Sequence, residues 1–330
     1  MPPTVWDGRD AAAIELAAQA IARGELVAFP TETVYGLGAR ADDDAAVAKI
    51  FAAKGRPAEH PLIVHVAGAA QVRDFAAHAP PVAVRLVAAF WPGPLTLILP
   101  RLAGVASAAA GGQPSIGLRC PSHPVAQALL QAAARLGVSG IAGPSANRFG
   151  RISPTRAEHV LADFGGAVPV LDGGPCDVGI ESSIVDCSRG HPVLLRPGVL
   201  TASQIEAAAG EKLQQPDAQA PRASGTLAAH YAPRAKLRLM DGAALRKALA
   251  LLGEGGTGAL ALAVYSRSVA AKGGVRHRSM PANAAAAAQD LFAALRELDA
   301  QGVDLIWVEA PPDSPEWDGV RDRLQRAAAA

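Results

Sequence analysis

The sequence predicts an α/β protein with two domains: a larger one with a twisted, open, mixed sheet and a smaller one with a parallel sheet. Three observations predict this. The chain has 330 residues, enough for about two domains. Half of its residues are hydrophobic and 18% are charged, as in packed globular proteins. Helical and short strand-like segments alternate, except in a polar, proline-containing stretch. We therefore expect domains at 1–209 and 235–330, joined by a linker at 210–234.

In the first domain, helices are predicted where strong helix formers follow a capping residue, and strands where short apolar runs end in turn residues. The predicted helices span 11–23, 42–53 and about 125–136. The predicted strands span 26–29, 62–66, 95–99, 116–119, 138–142, 168–171, 183–185 and 193–195. Acids Asp42 to Asp44 are interpreted as a helix cap and first turn rather than a metal cluster.

The second domain has strand-like runs at 236–240, 259–264 and 303–308. Helices are predicted at 243–252, at 284–299 and near the C-terminus. Because strands alternate with helices, this order predicts a small, open, largely parallel sheet.

Composition excludes several classes of protein. Lys and Arg number 31 and Asp and Glu 30, so the net charge of +1 gives the whole chain no attraction to a polyanion. Aromatic residues, at 4%, are too few for a surface that stacks many bases. The three cysteines form no CxxC pair and fit a reducing compartment. The N-terminus has no apolar run, and Arg and Pro interrupt the longest apolar stretch. We expect a cytoplasmic protein with no membrane partner.

Two early segments combine turn residues with polar side chains. In FPTETVYGLG, which begins at Phe29, a buried strand ends in Pro and Thr-Glu-Thr follows. Strand ends of this kind often bind ligands, but an ordinary strand–loop connection explains the pattern equally well. In the second segment, Lys54 and Arg56 follow a helix. They could neutralise the helix dipole or bind phosphate on a rigid turn. His65 lies in an apolar run, where a core histidine is the commoner explanation.

Two later segments are similar. GPSANRFGRISPT begins at Gly143 and could cradle an anion with its backbone N–H groups. The alternative is a helix-capping loop, in which Ser153 or Thr155 caps the helix that contains Glu158. The region 172–198 offers Ser183 and Arg196 as candidates.

Cations thus stand at the ends of several elements, with hydroxyl side chains near them in sequence; they are Lys54, Arg56, Arg119 and Arg196. No Ser–His or Cys–His pair is indicated. The residues predict a site that holds phosphates and acts by positioning and charge stabilisation, for a nucleotide or another phosphate ester.

The motifs FPTETVYGLG, KGRPAEHPLIVHV, GPSANRFGRISPT, DGGPCDVGIESSIVD and LLRPG occur in this order. Over about residues 24–198 the sequence resembles the threonylcarbamoyl-AMP synthase family (YrdC-like). The HYAP run at 230–233 and the domain after it resemble the long, two-domain form of that family. The resemblance implies a YrdC-like open sheet around a cationic cavity, a linker that covers the site, and a Rossmann-like C-terminal domain.

The resemblance also implies an activity: condensation of L-threonine, bicarbonate or CO2, and ATP to L-threonylcarbamoyladenylate and pyrophosphate. ATP would be a substrate and would carry Mg2+, with no metal site in the protein. A downstream tRNA-modifying transferase complex would use the product to make threonylcarbamoyladenosine in tRNA. Weak binding of double-stranded RNA or tRNA is part of the same expectation.

The implied L-threonine contacts are Thr33, His65, Arg119 and Ser183. The implied ATP contacts are Lys54, Arg56, His60, Ser115, Gly143, Ser145, Asn147, Ser153, Arg196 and Tyr231, with Lys54 and Arg56 as catalytic residues. Together Lys54, Arg56, Ser145 and Asn147 form the family's KxR…SxN signature. The sequence departs from the common pattern at His60, Ser115, Phe149 and Ser183.

Two alternatives remain. One is a double-stranded RNA or tRNA binding module without adenylate synthesis, against which the near-zero net charge argues. The other is a carbamoyl-transfer domain related by fold, as in hydrogenase-maturation enzymes, against which the lack of zinc-finger cysteines argues.

Overall fold

The computed structural model describes residues 4–255, 260–270 and 274–330. The chain forms two compact units. The first unit contains the residues up to Phe149 together with Ser153–Thr226, and the second contains Gly150–Ile152 and Leu227–Ala330. The change from one unit to the other at 226/227 falls inside the segment predicted as a linker.

The first unit contains these strands: β1 (Val5–Asp7), β2 (Val27–Phe29), β3 (Gly36–Arg40), β4 (Ile63–His65), β5 (Leu95–Pro100), β6 (Ser115–Arg119), β7 (Ile141–Ala142), β8 (Val170–Asp172), β9 (Ser183–Asp186) and β10 (Val193–Arg196). Its helices are α1 (Ala11–Ala22), α2 (Asp44–Lys54), α3 (Pro81–Phe90), α4 (Pro124–Arg135), α5 (Ala157–Phe164) and α6 (Ala202–Ala209). Short 3-10 turns are omitted from this numbering.

These strands make one sheet in the order β1-β8-β2-β3-β7-β4-β6-β5-β9-β10. Pairs β4–β6 and β5–β9 are parallel, whereas β5–β6, β4–β7 and β3–β7 are antiparallel. The mixed α/β fold predicted from the sequence is confirmed. A large apolar cluster with buried residues from α2, α3, α5 and α6 covers one face, and α1 and α4 pack on part of the other.

Capping explains where the predicted helices begin. The Asp10 side chain accepts from the Ala12 N–H at the start of α1. The Asp43 side chain accepts from two N–H groups at the start of α2, so the cap interpretation of the acids at 42–44 is confirmed. At α5 the alternative interpretation of the segment at 143–155 as a helix-capping loop is wrong: Arg156 is the N-cap residue, without a side-chain cap, so neither Ser153 nor Thr155 caps this helix.

Strand β3 was not predicted because its sequence, GLGAR, resembles a loop. The ring of Phe29 explains the glycines. A Cβ at Gly36 or Gly38 would lie 3.1 or 3.0 Å from that ring, closer than a side chain normally approaches. The glycines therefore let β3 pair with β2 beneath an aromatic side chain.

The second unit contains β11 (Lys236–Met240), β12 (Leu262–Ser266), β13 (Arg276–Ser279) and β14 (Leu305–Glu309). Its helices are α7 (Gly242–Gly255), α8 (Ala284–Ala300) and α9 (Asp318–Ala328). The strands run parallel in the order β11-β14-β12-β13, which confirms the predicted parallel sheet. Strand β13 was not predicted because its sequence, RHRS, is polar; it lies at the sheet edge, where polar residues are tolerated.

The three cysteines, Cys120, Cys176 and Cys187, are buried free thiols of the first unit. Burial raises the pKa of the Cys187 thiol to about 12 and raises that of Cys176 further. Within the described ranges, no helix is both long and apolar enough to cross a bilayer.

Candidate functional site

Side-chain alternation along β4, β5 and β6 places several predicted residues on one face of the sheet. Side chains two residues apart on a strand point to the same face. Ile63 and His65 therefore share a face of β4, and Ser115, Gly117 and Arg119 share a face of β6. His65 and Arg119 are register partners at the carboxyl ends of two parallel strands. This is the end of a sheet at which α/β proteins bind ligands.

Arg119 is buried and held by three groups. Its Nε donates to the Gly93 carbonyl at 3.3 Å, and its Nη1 donates to the Thr33 hydroxyl at 2.8 Å. Its Nη2 lies 2.7 Å from Oε1 of Glu32. The Thr31 hydroxyl donates to the Val34 carbonyl at 2.6 Å, so in its 2.9 Å contact with Thr33 it acts as the acceptor. Arg119 and Thr33, both predicted to bind threonine, are thus in direct contact.

His65 is buried, and desolvation with the nearby Arg119 lowers its pKa to about 3. The imidazole is therefore neutral near pH 7. Its ring meets that of Phe29 edge-on, with centroids 5.6 Å apart. Its Nδ1 has no hydrogen-bond partner among the described residues. Gly143 packs against the His65 ring, so that a Cβ at position 143 would lie 3.0 Å from Nδ1.

Arg196 and Arg56 are joined through the segment 210–226 of the first unit. Arg196 donates to the Ser182 carbonyl from Nη2 at 2.9 Å and to the Ser224 carbonyl from Nη1 at 2.7 Å. Arg56 Nη2 donates to the Ser224 hydroxyl at 3.4 Å and to the Pro61 carbonyl at 2.9 Å. One serine of the predicted linker therefore contacts two of the predicted ATP-binding arginines.

The same segment crosses the open face of the sheet. Ala223 packs on the small apolar cluster of Ile63, Ile98 and Ile184. The Arg222 N–H donates to Gln113 Oε1 at 2.8 Å, and Gln113 Nε2 donates to the Arg222 carbonyl at 3.1 Å. A cleft lies between this segment and the sheet; its lining includes Thr96, Ser115, Gly117 and Ser224. Ser115 thus lies in the cleft with Ser224.

Lys54 is fully buried, and burial, with Arg56 nearby, lowers its pKa well below the usual range. Its Nζ donates to the carbonyl oxygens of Ser145 and Asn147, at 2.6 and 2.5 Å. Lys54 therefore has a different role from the other residues of the KxR…SxN signature. It holds the backbone of the loop that carries Ser145 and Asn147, and this role needs a hydrogen-bond donor rather than a positive charge exposed to a ligand.

His60 and Phe149, where the sequence departs from the common pattern, pack together with ring centroids 5.5 Å apart. The Arg56 guanidinium lies 5.8 Å from the Phe149 ring, within the range of cation–π contacts. Burial lowers the pKa of His60, with a smaller contribution from Arg56. The two departures are thus one aromatic pair beside Arg56.

Three further predicted residues make other contacts. The Ser153 hydroxyl donates to Glu181 Oε1 at 2.5 Å, and both side chains are buried. The Ser183 hydroxyl donates to the Leu200 carbonyl at 3.4 Å. Tyr231 belongs to the second unit, where its ring packs against that of Phe292 at 5.3 Å, and it has a positive φ of 63°.

The four predicted cations are buried, and contacts connect them in one series. Arg119 pairs in register with Thr96. Thr96 and Ser182 share a hydrogen bond of 2.7 Å. Ser182 accepts from Arg196, and Ser224 joins Arg196 to Arg56. Lys54 follows, beside Arg56. The series brings the buried guanidinium groups of Arg196 and Arg56 together at Ser224, an arrangement suited to a phosphorylated ligand, whereas Glu32 offsets the charge of Arg119.

Sequence reasoning missed three polar residues that contact these cations, the buried Glu32 and Ser182 and the half-buried Ser224, and also the buried Glu181, which accepts from Ser153. The TET and ESS runs were the available signals for Glu32, Glu181 and Ser182, since three consecutive polar residues beside an apolar strand are unusual. Among the described residues, no group of three or more His, Cys, Asp or Glu side chains could hold a metal ion.

Comparison with known proteins agrees with this arrangement. A solved structure described as Pyrococcus abyssi Sua5 complexed with L-threonine superposes with a TM-score of 0.90 at 36% identity, covering 99% of this chain and 98% of that one. The threonylcarbamoyl-AMP synthase of Bacillus subtilis is 39% identical over 326 residues, 96% of this chain and 92% of that protein. The synthase of the same name from Pyrococcus abyssi is 38% identical over 329 residues, 96% of this chain and 94% of that protein.

Two family models cover most of the sequence. The Sua5/YciO/YrdC model, described as "Telomere recombination", matches residues 19–198. The model described as "Threonylcarbamoyl-AMP synthase, C-terminal domain" matches residues 200–329. With two such matches in chain order and relatives similar over nearly the whole length, the chain belongs to the Sua5/YciO/YrdC family.

Proposed function

We propose that the protein is an L-threonylcarbamoyladenylate synthase, a nucleotidyltransferase that condenses L-threonine, bicarbonate or CO2, and ATP and releases pyrophosphate. The names of its relatives support this proposal, as does the likeness to a structure described as complexed with L-threonine. We propose that a tRNA-modifying transferase complex in the cytoplasm receives the product. The observation that carries the proposal is the buried series of contacts from Arg119 to Arg56.

The Arg119 end of the series suits an amino acid. A guanidinium can bind a carboxylate through two parallel hydrogen bonds. Thr33, in contact with Arg119, and the neutral His65 can recognise the hydroxyl and other polar atoms of threonine. Ser183, the first residue of β9, is our further candidate for a threonine contact. Neutral His65 matters here, because a charged imidazole beside Arg119 would add repulsion in a buried site.

The Arg56–Arg196 end suits a triphosphate. Both guanidiniums are buried, so water screens their charge poorly. The loop at 143–147, held by Lys54, offers backbone N–H groups and the Ser145 hydroxyl. His60, Ser115 and Ser153 complete the ATP contacts proposed within the first unit. In binding ATP, the arginines would exchange the carbonyl and hydroxyl of Ser224 for phosphate oxygens.

The reaction would have two steps. The amine of threonine attacks CO2, forming a carbon–nitrogen bond and, after loss of a proton, an N-carboxylate. That carboxylate then attacks the α-phosphorus of ATP in line, and the bond to pyrophosphate breaks. Arg56 and Arg196 would stabilise the charge on the phosphates. The described residues provide no cage for a metal ion, so we propose that Mg2+ arrives on the phosphates of ATP.

The test is pyrophosphate release from the full chain with ATP, bicarbonate and L-threonine. We expect release that depends on threonine and falls by at least about 100-fold in Arg196→Gln, since removal of one charge-stabilising donor costs this much. Arg135→Gln is the matched control, because Arg135 pairs with Glu15 on the exposed surface. Release that continues unchanged without threonine would contradict the proposal. So would steeply salt-dependent binding of double-stranded RNA without any turnover.

A further inference from the structure

The carboxylate of Glu32 is an unusual feature of this site. Glu32 is 5% exposed, and its Oε1 lies 2.7 Å from Nη2 of Arg119. The two groups form an ion pair, but neither carboxylate oxygen has a hydrogen bond to any described residue. An ionised carboxylate has about four acceptor positions. Leaving them empty in a buried site is costly, which indicates that a ligand satisfies them.

The surroundings of Glu32 leave Arg119 as its counter-charge. Three further titratable groups lie near enough to feel its carboxylate: Cys120, Cys176 and His123. Burial raises the pKa of both thiols and lowers that of His123, so these groups are uncharged near neutral pH. Asp177, which faces His123 and Cys176, is exposed to solvent. Glu32 and Arg119 therefore form a buried pair without net charge.

A zwitterionic ligand can bind to both members of this pair, with one charged group on each. The amine and carboxylate of an α-amino acid are attached to the same carbon, so the groups that bind them must be neighbours, as Glu32 and Arg119 are. When the substrate carboxylate binds Arg119, the substrate ammonium can take the acceptor positions of Glu32. One buried ion pair becomes two, and the net charge of the group stays zero. A hydroxy acid without the amine would leave Glu32 buried and unpaired.

We propose that Glu32 binds the α-ammonium group of the amino acid substrate and so makes the site select amino acids over hydroxy acids that lack the amine. The inference rests on the proposed function, because it takes Arg119 as the carboxylate-binding residue. It assigns to the central residue of the TET run a role in substrate selection, with Thr33 beside it on the substrate hydroxyl.

The experiment is calorimetric titration of the full chain with L-threonine and with 3-hydroxybutanoate, which is threonine without its amine. We expect the unsubstituted chain to prefer threonine by at least about tenfold, the value of one hydrogen bond to a charged group. Glu32→Gln should weaken threonine binding roughly 10- to 100-fold. It should leave the affinity for 3-hydroxybutanoate unchanged or higher.

The matched control is Glu25→Gln, because Glu25 also pairs with an arginine, Arg23, but on the exposed surface. It should change neither affinity. Equal weakening of both ligands by Glu32→Gln would overturn the proposal, because Glu32 would then act only by holding Arg119. The absence of any preference in the unsubstituted chain would overturn it too, and this readout needs no variant to fold. Pyrophosphate release by the unsubstituted chain tests the proposed function separately.

Discussion

Replacement of Gly143 by alanine tests the positioning of His65. Gly143 has no positive φ, so alanine can adopt its backbone conformation. The added Cβ, however, would lie 3.0 Å from Nδ1 and 3.1 Å from Cε1 of His65, and 3.1 Å from Cζ of Phe29. Phe29 and His65 already pack edge-on, so neither ring can yield without moving the other.

The size of the effect follows from these distances. Carbon atoms in contact prefer separations of about 3.5–4.0 Å, so the His65 ring must shift by roughly 0.4 Å. Overpacking of this kind costs about 1–3 kcal/mol of stability. Misplacement of a site residue by 1 Å can cost about 100-fold, so a shift of this size should raise the KM for threonine roughly fivefold.

The assay is pyrophosphate release with threonine and ATP varied in turn, together with urea unfolding. Gly68→Ala is the matched control: its φ of −176° suits any residue, and its Cβ would meet only Gln71 Oε1, at 3.7 Å. It should be neutral or stabilising by about 0.4–1 kcal/mol. If Gly143→Ala matched Gly68→Ala in both stability and the KM for threonine, the reasoning about His65 would be refuted.

Three further changes have defined outcomes. Thr33→Val removes the acceptor that lies 2.8 Å from Arg119 Nη1 and should weaken threonine binding roughly tenfold in calorimetry, whereas Thr33→Ser should not. The pKa of His65 is lowered to about 3 in the folded chain, so protonation below the unfolded value of 6.5 favours unfolding. Between pH 7 and 5 the free energy of unfolding, measured with urea, should therefore fall by about 2 kcal/mol more in the natural chain than in His65→Gln. Equal losses in the two chains would contradict this. Tyr265→Phe removes a hydrogen bond of 2.9 Å to Asp290 and should cost about 1 kcal/mol in unfolding of the second unit without changing pyrophosphate release; a loss of turnover at full stability would show that the contact has another role.

The elements with strong local signals could be predicted from the sequence. Helix α1 begins at its capping Asp10, and β11 occupies the span that its apolar run predicts. Helix α3 was missed although Pro81 at its first position is a helix-start signal. Strand β3 could not be predicted, because its glycines are needed only to make room for the ring of Phe29, and that contact exists only in the folded sheet.

In the candidate site, too, some features follow from a local sequence pattern and others depend on the fold. The four cations could be proposed from the sequence because Lys, Arg, Gly and Pro at element ends leave a local pattern. The pairing of each cation with its partner leaves no local pattern, because Glu32 contacts Arg119, and Ser224 contacts Arg196, across long separations in the chain. Alternation along β6 places Ser115 and Arg119 on one face, but only the sheet order brings His65 beside them. Burial decides the rest, since Lys54 differs from a surface lysine through its surroundings alone.

The distribution of the thiols offers a practical readout. All cysteines of the chain lie in the first unit, and each is shielded from solvent. A thiol-reactive dye should therefore label the native protein very slowly and report the opening of that unit alone, since the second unit contains no cysteine. Labelling rates with and without threonine or ATP would then measure how much each compound protects the first unit, without any engineered probe.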